Sequence, residues 1–145
     1  MDIVKRIVGV ILVISAIVLA VHTVAEPLYF DSSTTGSGYN ESVWALINSL
    51  TAFAVVLGVI FGFVRMRKSA AEGDAPVTRE FLAANTQFFG VLFLGIFFFF
   101  NWFNLLSADF NAVGPDAVGL IWITLDAGLP LIWFPMGLHL LKGDS

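Results

Sequence analysis

Four long, predominantly apolar runs, at residues 7–24, 43–64, 88–106 and 118–140, constrain this chain more than any other feature. Each approaches or exceeds the roughly 20 helical residues needed to cross a hydrocarbon core. A backbone in lipid must satisfy its own polar groups, which leaves only helices or closed barrels. Barrel strands alternate apolar and polar positions, and these runs do not. The chain is therefore expected to be all-α, a polytopic four-transmembrane-helix bundle forming one membrane domain over residues 1–145. Composition agrees, with 58% hydrophobic and 12% charged residues, about half the charged share of a soluble domain. A soluble body this small has too little interior to hide so much apolar surface.

The positions of the charges matter more than their formal total of −4. Lys5 and Arg6 precede the first run, Arg65, Arg67, Lys68 and Arg79 lie between the second and third, and Lys142 follows the fourth. The other two connections, 25–42 and 107–117, contain no Lys or Arg and carry Glu26, Asp31, Glu41, Asp109 and Asp116. Basic loops stay on the cytoplasmic side. The expected topology therefore has cytoplasmic N and C termini, an inner loop at 65–87 and two outer loops, in a plasma or cytoplasmic membrane. The first run follows basic residues as a signal peptide would. It exceeds the roughly 7–15 apolar residues of such a segment, so a retained helix is expected.

The chain has no cysteine, which excludes disulfide scaffolds, thiolate metal sites and thiol redox chemistry. The outer stretch from Asp31 to Gly38 is small and polar, as surface turns are. Asn40-Glu41-Ser42 matches a glycosylation sequon, but its place before an apolar run predicts a helix cap instead. The segment from Thr78 to Gln87 is expected to lie at the interface before the third span.

Helical spacing places polar and small residues on one face of each span. The lines run Ser15, His22, Glu26; then Asn48, Thr51, Val55, Gly58, Gly62; then Gln87, Gly90, Leu94, Phe97, Asn101, Asn104; then Gly119, Trp122, Asp126, Pro130, Trp133, Gly137. Helices in lipid associate through small residues and side-chain hydrogen bonds. Gly58, Gly62, Gly90, Gly119 and Gly137 are accordingly the predicted packing positions. The stripes would face inward or, for one or two of them, a partner subunit. Trp44, Trp102 and Trp122 read as an aromatic belt at the outer boundary, with Trp133 deeper.

Asp126 requires explanation, because an aspartate at mid-helix costs about 2.5–3.5 kcal/mol on insertion scales. His22, Asn48, Asn101 and Asn104 share its outer half of the membrane. One reading makes Asp126 a neutral acid donating to Asn101 or Asn48 and locking the bundle. The other makes it a site for a proton or small cation, helped by Pro130 and Pro135, since interrupted helices line ion sites. His22, Glu26 and Asp126 would make only a meagre metal site, so neither metal nor cofactor is expected. His22 and His139 fall on opposite sides, too far apart to share a haem.

No phosphate loop, nucleophile–base pair or ligand cluster at diagnostic spacing is present, and nucleic-acid binding is not supported. Two functions remain. One is a non-catalytic accessory subunit contacting lipid and other membrane chains or copies of itself. The other is a small proton- or cation-coupled carrier or channel using Asp126, with Asn48, Asn101 and His22 lining an outer vestibule.

Overall fold

The computed structural model describes residues 2–71, 77–107 and 113–143. Asp109 and the inner-loop residues 72–76 lie outside them. The described residues form four helices: α1 (Asp2–Tyr29), α2 (Glu41–Ala70), α3 (Arg79–Leu106) and α4 (Pro115–Lys142). All four are long and apolar enough to cross a membrane. A helix of 28 residues, such as α3, is roughly 42 Å long at 1.5 Å per residue. That length matches the roughly 40–45 Å bilayer with its headgroup layers.

The helices overrun the apolar runs. Residues 25–29 continue α1, 65–70 continue α2, and the stretch foreseen as interfacial, 79–87, is the first part of α3. Caps set the true ends. Asn40 Oδ1 accepts from Val43 N–H at 3.3 Å and Thr78 Oγ1 from Phe81 N–H at 3.0 Å, each satisfying a donor that the first turn leaves unpaired. Asn40 of the sequon is thus the α2 cap. Pro115 starts α4, where its missing N–H costs nothing. The polar connection between α1 and α2 contains a single 3₁₀ turn, Ser32–Thr34. Asp31 caps it by accepting from the Ser33 hydroxyl and N–H, and these bonds hold its carboxyl below the usual aspartate range.

In cross-section the helices follow one another around a square. The contact of α1 with α4 is the most extensive, followed by α2 with α3; α3–α4 and α1–α2 close the remaining sides. Leu12, Ala54, Val91, Leu129 and Trp133 are 0% exposed at the centre. Lys5, Arg65, Lys68, His139 and Gly143 line one small cavity, which puts both chain ends and the α2–α3 link together. This is the basic end of the bundle; Glu26, Asn40 and Trp44 mark the acidic end.

Glycines set the helix spacing. A Cβ built on Gly137 would lie 2.7 Å from the Gly9 carbonyl oxygen, and one on Gly9 would lie 2.9 Å from that of Gly137. The α1 and α4 backbones are therefore in direct contact near the basic end. Gly58 lies against Val91 and Trp133, Gly62 against Met136 and Phe88, and Gly90 against Ile132. The Gly58–Gly62 pair thus serves contacts within the chain. Gly119 is a correction: a Cβ there meets nothing within 4 Å, because the site lies on an exposed face in the first two turns of α4.

The α3 stripe is also displaced from its expected line. The buried residues are Ala84, Phe88, Val91, Gly95, Phe98 and Asn101, whereas Phe97 is exposed and Gln87, Gly90, Leu94 and Asn104 are half-buried. Gly95, against Val55, and Gly128, against Leu94, join the close contacts.

These contacts predict opposite outcomes for one kind of substitution. Gly137→Ala should destabilise the bundle by about 1–3 kcal/mol through backbone overpacking. Gly119→Ala should stabilise it by about 0.4–1 kcal/mol by restricting the unfolded chain. Thermal unfolding in detergent measures both.

Candidate functional site

The acidic end is built around Glu26 in the last turn of α1. One carboxylate oxygen accepts from Asn40 N–H at 2.8 Å and the other from Trp44 Nε1–H at 2.8 Å. The side chain thereby ties the end of α1 to the start of α2 by two charge-assisted bonds, which are stronger than neutral ones. One turn earlier, His22 meets Trp44 edge-on with ring centroids 4.7 Å apart, and its Nδ1 pairs with the Tyr29 hydroxyl at 2.9 Å. His22 Nε2 is buried without a partner among the described residues.

Deeper in the bundle lies a polar layer whose register follows from Gly58 facing Val91 and Trp133. Two turns further toward the acidic end come Thr51, Phe98 and Asp126, and one more turn brings Asn48 and Asn101. Asn48, Thr51, Asn101 and Asp126 are 5%, 3%, 2% and 9% exposed. Asn104, a turn beyond Asn101, is only half-buried. Asn101 Nδ2 donates back to the Phe97 carbonyl at 2.8 Å, and its Oδ1 is buried with no partner among the described residues.

Among the described residues no hydrogen bond joins Asp126 to Asn101 or Asn48. The lock expected from sequence is therefore not made. Nor is the helix interrupted, since α4 runs through Pro130 and Pro135 without a break. Pro130 does remove the N–H that would otherwise pair with the Asp126 carbonyl, so this turn presents acceptors from both side chain and backbone. Toward the basic end the interior is filled by Leu12, Leu129, Trp133 and Met136.

His22, Glu26 and Asp126 do not converge as ligands, and the described residues contain no group of three or more metal-binding side chains. Both Glu26 oxygens already serve the α1–α2 tie. Trp44, Trp102 and Trp122 are half-buried against the core, and Trp133 is wholly inside with Nε1 unpartnered.

Sequence reasoning missed the polar fastening at the basic end. Arg65 grips Glu80 through Nε at 2.7 Å and a terminal nitrogen at 2.8 Å, and also donates to Gln87. The fork joins α2 to α3 across 15 residues of sequence, a separation at which no local pattern signals pairing. Comparison of the chain with protein-family models, curated proteins and solved structures finds no match.

The Glu26 tie is testable by itself. Glu26→Ala leaves the Trp44 indole and Asn40 amide without their acceptor, which should cost roughly 1.5–3 kcal/mol. Hydrogen exchange at the Asn40 amide should accelerate, while Trp44→Phe, which removes the indole N–H but leaves the Glu26–Asn40 bond in place, should affect that amide less.

Proposed function

We propose that this chain is a multi-pass protein of the plasma or cytoplasmic membrane, with both termini cytoplasmic. Its proposed role is that of a non-catalytic accessory subunit packing against other membrane-embedded chains or a further copy of itself. The observation that carries this reading is the outer face of α3. Phe89, Phe93, Ile96, Phe100 and Phe103 recur at alternating steps of four and three, and are 57%, 59%, 63%, 39% and 58% exposed. A repeat averaging 3.5 residues keeps one seam of a helix turned toward a facing helix. Four of these five positions are phenylalanine, large rings suited to packing against a facing helix. The filled interior below Asp126 points the same way, because a subunit needs no passage.

Purification in mild detergent should retain a stoichiometric membrane partner or a second copy. Joint replacement Phe93→Ala and Ile96→Ala should reduce that retention several-fold while thermal stability stays within about 1 kcal/mol, as at surface sites. A chain that purifies alone as a monomer contradicts the proposal.

The second reading, a proton- or cation-coupled carrier, is favoured by the orphaned Asn101 Oδ1, buried within a turn of the level of Asp126. Asp126→Asn separates the two. For a subunit, assembly survives the change; for a carrier, cation or proton flux into proteoliposomes is lost while the protein still folds and inserts.

A further inference from the structure

The two fastenings at the basic end pull in different directions. Gly9 and Gly137 draw the last part of α4 onto α1. Arg65, through Glu80 and Gln87, draws the first part of α3 onto α2. The α3–α4 pair is in close contact at Gly128–Leu94 and at Gly90–Ile132. Beyond those points, toward the basic end, a groove of about 390 Å³ opens between them.

The groove is amphipathic along its length. Leu82, Ala83, Leu131, Ile132 and Pro135 form apolar walls, Thr86 and Gln87 add polar atoms, and Arg79 is also in the lining. From Arg79 to Gln87 the helix rises roughly 12 Å, close to the roughly 15 Å hydrocarbon depth of one leaflet. Arg79 opens α3, at the headgroup level of a spanning helix. Arg65 is engaged with Glu80, whereas no carboxylate among the described residues pairs with Arg79. A planar guanidinium donates two parallel hydrogen bonds to a phosphate.

We infer that this groove holds one anionic phospholipid, with its phosphate on Arg79 and an acyl chain lying between α3 and α4. Charge complementarity selects the headgroup, and the apolar walls select the chain. The inference rests on the membrane reading of the four helices but not on the subunit role. Phosphate is the shared chemistry of a lipid headgroup and a free ion; the length and apolarity of the groove assign it to lipid.

Native mass spectrometry of the full chain in detergent, titrated with phosphatidylglycerol, phosphatidylcholine or inorganic phosphate, tests this. One phosphatidylglycerol should be retained in preference to phosphatidylcholine. Arg79→Gln should weaken retention about tenfold, as expected for loss of a charge-assisted bond. Ala83→Phe, which fills the groove and spares the charge, should weaken it comparably. Arg67→Gln, which removes an equal charge outside the groove, should leave it unchanged.

Equal retention of the two lipids, or an equal effect of Arg67→Gln and Arg79→Gln, overturns the inference. Displacement by inorganic phosphate together with indifference to Ala83→Phe also overturns it, in favour of a simple phosphate site. Carbonate extraction of the same variants from vesicles keeps the two levels apart. A chain stripped from the bilayer defeats the membrane reading itself, whereas an inserted chain without lipid preference defeats only the groove.

Discussion

Inside a bilayer, apolar side chains gain little by leaving lipid for one another, so helices must be held by what lipid cannot supply. In this chain, whose four helices are long and apolar enough to cross a membrane, close backbone approach at one end and polar ties at both would supply that. The Gly9–Gly137 contact brings the α1 and α4 backbones together where any side chain would hold them apart. Glu26 ties α1 to α2 at the acidic end, and Arg65 ties α2 to α3 at the basic end. None of these three fastenings joins α3 to α4 at the basic end, which is where the groove opens.

The bundle is asymmetric along its axis. The acidic half contains Asn48, Thr51, Asn101 and Asp126 in a thin buried layer, while the basic half is packed with Leu12, Leu129, Trp133 and Met136. A buried acceptor without a donor, such as Asn101 Oδ1, works against stability. The layer is therefore the place where this fold carries an unresolved electrostatic demand. Toward the basic end it gives way to the packed apolar interior, the feature on which the proposed interaction role rests.

Much of this was legible in the residues and some was not, for physical reasons. Run lengths and the placement of seven basic residues are strong signals, because lipid tolerates few alternatives. The α2 line from Asn48 to Gly62 is buried at every position, since small and polar residues there coincide. On α3 they do not. Gln87 reaches sideways to Arg65, and Phe88 and Phe98 turn inward, because an aromatic ring in a membrane protein is equally at home inside or out. The better signal was Gly95 with Ala84, two small residues on the buried face. Gly9 gave no pattern, being a lone glycine among Val and Ile, and Gly119 resembled a packing residue without a neighbour to pack on. The Arg65–Glu80 tie depends on how two helices meet across a loop, and sequence spacing does not encode that.

The absence of native cysteine makes the central claim, four crossings with opposite charges on opposite faces, directly measurable. Single cysteines at Ser33 and Arg67 would be the only thiols in their respective variants. A membrane-impermeant maleimide added to intact cells should label Ser33→Cys at once and Arg67→Cys only after the membrane is opened. Labelling of both from the same side of an intact membrane would contradict the account.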